Sequence, residues 1–186
     1  MKHTILTFTL LFAIISYSQN SNFETAVSFK IGAIGGWLAV EVPLSDKFML
    51  NAEFGQEGGI YKNTRNGDTE FIFTNTLSLE PRYFYNRLSR KEKGKSINLN
   101  SGNYIGLEFM RVPDWLTVGT DERDVQIEQS FAIIPKLGMK RAIANIMTFE
   151  LAGGIGYQFN DKLKNSLTIG LDLRIGVLLF YNRYNK

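Results

Sequence analysis

The chain has 186 residues, 44% of them hydrophobic and 21% charged, with a formal net charge of +3, no cysteine and one histidine. That length suits a single domain, the lack of cysteine excludes disulfides and a lipid-modified cysteine anchor, and the near balance of charge argues against nucleic acid as the main partner. The sole histidine, His3, leaves neither general-base chemistry nor metal ligation an obvious carrier in the body of the chain.

The chain opens as an export signal. Lys2 and His3 precede an apolar core from Ile5 to Ile15, and Ser16-Tyr17-Ser18 is a small-x-small cleavage pattern. Residues 1–18 are therefore expected to be a secretory signal peptide and 19–186 a single β-barrel domain. An N-terminal membrane helix is the alternative, although the apolar run is short of the roughly 20 residues that a spanning helix needs. Loss of Lys2 takes the net charge from +3 to +2.

From Phe23 the pattern is period two, as expected for strands whose successive side chains point to opposite faces. Phe23 to Ala33 sets Val27, Phe29 and Ile31 against Ser28, Lys30 and Gly32, and Ile34-Gly35-Gly36 reads as a tight turn. Trp37 to Leu44 places Leu38, Val40 and Val42 against Ala39 and Glu41. Phe48 to Gly59 places Phe48, Leu50 and Phe54 against Asn51, Glu53 and Gly55. After the polar loop 63–69, Glu70 to Asn86 alternates Leu77, Leu79 and Tyr83 with Ser78, Glu80 and Arg82.

The charged stretch 87–101 reads as a solvated connection. Gly102 to Arg111 sets Ile105, Leu107 and Phe109 against Tyr104, Gly106 and Glu108, and 112–124 is a second polar loop. Val125 to Arg141 sets Phe131, Ile133, Leu137 and Met139 against Ser130, Lys136, Gly138 and Lys140. Ile146 to Phe159 sets Leu151, Ile155 and Tyr157 against Glu150, Ala152 and Gly154. The last strand, Ser166 to Asn182, has an unbroken apolar face from Leu167 to Tyr181 and carries Asp172 and Arg174 on the other. The expected fold is all-β, an eight-stranded antiparallel up-and-down transmembrane β-barrel, with no helix after the signal.

Periodicity alone leaves open which face points inward. A lipocalin-like barrel would bury the apolar face around a ligand, whereas a membrane barrel would turn it to lipid. Two features favour lipid. The polar face is rich in glycine and carries charges of both signs, which suits a narrow lumen more than a solvated surface. Aromatics also gather toward the strand ends, at Phe71 and Phe73, Tyr83 and Tyr85, Tyr157 and Phe159, and Tyr181. A lumen ion-pair network is expected from Lys30, Glu41, Glu53, Glu80, Arg82, Glu108, Lys136, Glu150, Asp172 and Arg174, because an unpaired buried charge costs several kcal/mol. Pro81 and Pro135 lie inside strands, where a missing N–H calls for bulges or earlier strand ends. Asn75 and Arg111 carry the parity of the apolar face.

The run Glu80-Pro81-Arg82-Tyr83-Phe84-Tyr85-Asn86, the lysine-rich linker after it, Ser101 to Leu107 and the stretch LAVEVPLSDKFMLNAEFG resemble small outer-membrane β-barrel proteins of the Bacteroidetes. The resemblance spans residues 19–186. It implies an outer-membrane location, contact with outer-membrane lipid, and barrel-assembly machinery as a partner that reads the aromatic end Phe180-Tyr181. It implies no particular reaction.

Acid pairs such as Glu80 with Glu108, or Glu150 with Asp172, could serve acid–base chemistry, yet ion pairing within the lumen with Lys136, Arg82 and Arg174 is the favoured reading, and no enzyme is expected. No cofactor and no metal are expected. Arg87, Arg90, Lys91, Lys93 and Lys95 read as a solvated turn, with an acidic partner or anionic headgroups as the alternative. Trp115 with Asp121, Glu122 and Asp124 forms a candidate recognition loop for an envelope protein, or else Trp115 anchors that loop at the lipid interface. The expected role is structural or interaction-based, in a barrel with a largely closed, charge-filled lumen. The alternatives are a soluble periplasmic barrel binding an apolar ligand and a small porin.

Overall fold

Long runs of strict alternation produce long strands, and the short polar stretches between them fold each strand back beside its predecessor. The computed structural model describes residues 24–62, 69–113, 118–119, 129–161 and 164–182. Its strands are β1 (Thr25–Gly32), β2 (Gly35–Pro43), β3 (Phe48–Lys62), β4 (Thr69–Tyr83), β5 (Gly102–Val112), β6 (Val118–Gly119), β7 (Ser130–Ala142), β8 (Met147–Asn160) and β9 (Ser166–Asn182). Strand β6 is a two-residue addition to β4; the other eight pair in sequence order, all antiparallel, and β1 pairs with β9. The sheet thus closes into an eight-stranded up-and-down barrel without a free edge. The expected leader at 1–18 lies outside the described residues, as do Trp115, Asp121, Glu122 and Asp124.

The apolar face is outside. Leu167, Ile169 and Leu171 are 76%, 78% and 73% exposed, and Phe29, Leu38, Leu79, Ile105, Leu137 and Ile155 are exposed on other strands. Among residues of that face whose side chains are described, the charges are Arg111 and Arg141, each one residue from its strand end. Arg111 Nη2 donates to Gln129 Oε1 at 3.0 Å. Asn75, of the same parity, is buried.

Aromatic rings pack at both ends of this face. Phe48 lies on Tyr83 at one end, with centroids 5.0 Å apart. At the other, Phe109, Phe131, Phe159 and Tyr157 form a chain of ring contacts with centroids 5.1 to 6.4 Å apart.

Several local expectations are corrected. The first hairpin turns at Ala33-Ile34, between the paired Gly32 and Gly35, one position before the Gly-Gly pair. Neither proline needs a bulge: the ladder β4–β5 is interrupted around Pro81 and the ladder β7–β8 around Pro135, and both resume in the same register. Beside Pro135 the strands approach so closely that a Cβ on Gly154 would overlap the Pro135 carbonyl, so the glycine accommodates the missing bond. A register shift occurs instead in β9, where Leu178 pairs Ser28 and Phe180 pairs Val27. Leu178 therefore faces in, while Leu179, Phe180 and Tyr181 are all exposed.

The 87–101 connection is not simply solvated, and it contains a helix that no periodicity signalled. Helix α1 (Arg87–Glu92) leads to a 3-10 turn, Asn98–Asn100, in which Leu99 and Asn100 adopt left-handed φ of 50° and 59°. That uncommon backbone points Leu99 onto Ala26 and Leu178 in the barrel mouth. Asn100 donates to the Glu24 carbonyl and to Glu41 Oε2 at 2.9 and 2.8 Å and accepts from the Glu24 amide at 2.9 Å. Arg87, also buried, donates through Nη1 to the carbonyls of Ile97 and Ser101 at 2.9 and 3.2 Å. Burial lowers its guanidinium to about 10, against the opposing pull of Glu24 and Glu41, so it stays cationic at neutral pH. The connection thus caps one end of the barrel.

Candidate functional site

Inside the barrel, each strand contributes its polar face to one confined column, and the column is charged. Every residue of the expected network, from Lys30 to Arg174, is buried. At Lys30, Nζ lies 2.7 Å from Glu53 Oε1 and 2.9 Å from Glu150 Oε2. Arg82 Nη2 lies 2.5 Å from Glu80 Oε2 and 2.7 Å from Glu150 Oε1, and its Nη1 is 3.9 Å from Glu41 Oε1. Lys136 Nζ sits between Glu108 Oε2 at 2.6 Å and Asp172 Oδ2 at 2.8 Å. Arg174 holds Glu53 Oε2 at 2.5 Å and Asp172 Oδ1 at 2.6 Å.

These contacts join into one chain: Glu108, Lys136, Asp172, Arg174, Glu53, Lys30, Glu150, Arg82, Glu80 and, through Arg82, Glu41. Lys140, which the expected set omitted, extends it by pairing with Glu41. All eight barrel strands supply a member. The Lys140–Glu41 pair joins β7 to β2, four strands apart in either direction around the barrel, and so crosses its full width. The bonds Arg82–Glu150 and Arg174–Glu53 each join strands three apart.

Neutral groups complete the column, and charge counting alone did not find them. Tyr104 Oη donates to Glu150 Oε1 at 2.7 Å, and Asn51 Nδ2 donates to Glu53 Oε1 at 2.9 Å. The Arg82 guanidinium stacks over the Tyr104 ring at 4.4 Å, and Arg174 over the Trp37 ring at 4.1 Å. Met49, Phe84, Tyr104 and Ala152 form an apolar cluster inside the same barrel. The signal for these was parity: Trp37, Met49 and Tyr104 occupy inward positions of otherwise polar faces.

Glycines set the width of the column. A Cβ on Gly138 would strike the Tyr104 ring, one on Gly106 the Glu80 carboxylate, and one on Gly170 the Lys136 side chain. Glycine here makes room for the partner's side chain. Satisfaction is nearly complete: Glu80 Oε1, Asn51 Oδ1 and Arg82 Nη1 are the network atoms without a hydrogen bond among the described residues.

The four acids considered for catalysis are all ion-paired. Glu80 binds Arg82 while Glu108 binds Lys136, and Glu150 is held by Lys30 and Arg82 while Asp172 is held by Lys136 and Arg174. Arg82 is shared by Glu80 and Glu150, and Lys136 by Glu108 and Asp172, an arrangement that fixes charge in place. Among the described residues no three His, Cys, Asp or Glu side chains converge as a metal site. The chain matches no family profile, no curated protein and no solved structure.

Proposed function

We propose that the chain is an integral protein of a bacterial outer membrane, a non-enzymatic barrel with a closed lumen that acts as a structural or docking element of the envelope. The observation that carries this reading is the inversion of polarity: paired charges fill the inside, and a nearly uncharged apolar belt covers the outside. In water such a belt would drive association, whereas in a bilayer it is the required surface. Seven of the eight barrel strands have at least nine residues, the length a tilted spanning strand needs at about 9–11. Rings at both ends of the belt suit the two interfaces.

The ion pairs that cross the lumen argue against conduction, and inward-facing charge argues against an apolar ligand inside. Fractionation of expressing cells, followed by gel migration with and without boiling, tests the reading. Recovery with the outer membrane and a heat-dependent shift in mobility are expected. Recovery in the periplasm without detergent would refute it, and large stable steps in planar-bilayer recordings would make the protein a porin.

A further inference from the structure

The outer face carries a defect in its apolar belt at Gly153. On β8, Gly153 takes an outward position between its neighbours Leu137 and Leu171, where every other strand nearby presents a large side chain. Packing does not demand a glycine there: a Cβ would find nothing closer than 3.9 Å, unlike the crowded glycines of the lumen. The missing side chain opens a groove of 410 Å³ lined by Leu137, Met139, Leu151, Gly153, Leu171 and Tyr85. That volume lies within the range of ligand pockets, about 300–1,000 Å³.

The groove runs toward the capped end, where two arginines stand without acids. Arg141 donates through Nη1 to the Gly102 and Lys140 carbonyls at 2.9 and 2.7 Å, and through Nη2 to Asn103 Oδ1 at 2.5 Å. Arg90, on α1, donates to the Ser96 carbonyl at 2.8 Å. Every one of these acceptors is neutral, and neither guanidinium has a carboxylate partner among the described residues. Arg90 and Tyr85 both lie within electrostatic range of Arg141. Lys91, Lys93 and Lys95 follow on the same exposed connection, which holds one acid, Glu92. This contrasts with the lumen, where every cation has a carboxylate.

We propose that this groove and its arginine rim form a binding site for an anionic phospholipid, with an acyl chain along Gly153 and the headgroup phosphate at Arg90 and Arg141. The inference rests on the membrane reading and names a lipid class for it. Apolar walls select a chain, and two preplaced, uncompensated guanidiniums select a phosphate bearing net negative charge. Near an anionic surface each such cation is worth roughly fivefold in affinity.

The test uses the full barrel reconstituted into nanodiscs of equal phosphatidylglycerol and phosphatidylcholine, released into mild detergent, with retained lipid read by native mass spectrometry. Phosphatidylglycerol should exceed phosphatidylcholine on the protein by about tenfold or more. Arg90→Gln with Arg141→Gln should bring the two near parity. Gly153→Leu, which fills the groove from outside the core, should remove most retained lipid of both kinds. Lys164→Gln, at the opposite end, should leave the wild-type pattern. Arg90→Gln alone, in a helix outside the barrel wall, should lower the preference by roughly fivefold and guards against misfolding of the double variant. Equal retention of the two lipids by the wild type would overturn the site, as would undiminished retention by Gly153→Leu. A dimer signal lost in Gly153→Leu would also overturn it, giving the groove to a second copy. A barrel that inserts but shows no preference refutes this site alone, whereas one that stays soluble without detergent refutes the membrane reading as well.

Discussion

Replacing Lys136 by methionine should be among the most damaging single changes to the interior. Lys136 is buried and lies within 2.8 Å of both Glu108 and Asp172. Methionine matches the length of the lysine stem and so preserves packing over Gly170 while removing the ammonium. Asp172 keeps Arg174 at 2.6 Å, but Glu108 loses its only cation among the described residues. Breaking a buried pair from one side costs about 3–5 kcal/mol, most of it from the charge left behind. Adding Glu108→Gln removes that charge and should restore most of the loss. In reversible urea unfolding of the barrel in lipid vesicles, followed by tryptophan fluorescence, a loss near 4 kcal/mol corresponds to a midpoint lowered by about 2 M for a slope of about 2 kcal/mol/M. A Lys136→Met barrel with an unchanged midpoint would refute the reasoning. So would a double variant less stable than the single one, since it would mean that the lone carboxylate carried no penalty.

Arg174→Leu strands parts of two acids, yet Glu53 keeps Lys30 and Asp172 keeps Lys136, so a smaller loss of about 2–3 kcal/mol is expected; the emission of Trp37, no longer stacked on the guanidinium, should shift with it, and an unmoved spectrum would contradict the stacking. Gly138→Ala should destabilise by about 1–3 kcal/mol, because its methyl group meets the Tyr104 ring, itself held against Phe84 and Arg82; a neutral thermal shift would deny the crowding. Asn100→Ala should release the cap while leaving the barrel intact. Hydrogen exchange and proteolysis confined to residues 84–101 should accelerate, and unchanged protection there would show that the three hydrogen bonds of Asn100 do not hold it.

The barrel was legible in the sequence because period two survives translation into strands almost unaltered. Once Lys30, Glu53 and Glu150 share a parity with the glycines, closure alone brings them together. What alternation could not express is where the lattice is interrupted. Pro81 and Pro135 suggest bulges or earlier strand ends, but a proline that faces outward needs only a gap in one ladder, and opposite Pro135 it is Gly154 that supplies the space. The bulge sits instead in β9, among Leu178, Leu179 and Phe180, all apolar and hence silent about which faces in. The cap has no periodic signature, because its lysine-rich composition resembles solvated linkers, whereas its placement depends on two left-handed residues, Leu99 and Asn100, that no pattern marks. Lys140 and Tyr104 stood on the inward face in plain view. Their roles depend on reach across the lumen, a three-dimensional distance that no single strand encodes.

The β1–β9 seam has a consequence for how the molecule is made. Its register joins Thr25 to Asn182, so the wall cannot close until nearly the whole chain has been delivered. Glu53 straddles that seam, bonded on one side to Lys30 of β1 and on the other to Arg174 of β9. A seven-stranded intermediate would therefore lack both the final ladder and the one cation and one acid that β9 carries, Arg174 and Asp172, leaving Lys136 and Glu53 each one partner short. Such a species gains little by lingering, since contacts of the longest sequence separation and the neutralisation of the interior arrive in the same step. Zipping of the last strand should thus be slow to begin and abrupt once begun. The charges that make the finished wall rigid would then also act as the latch that commits it.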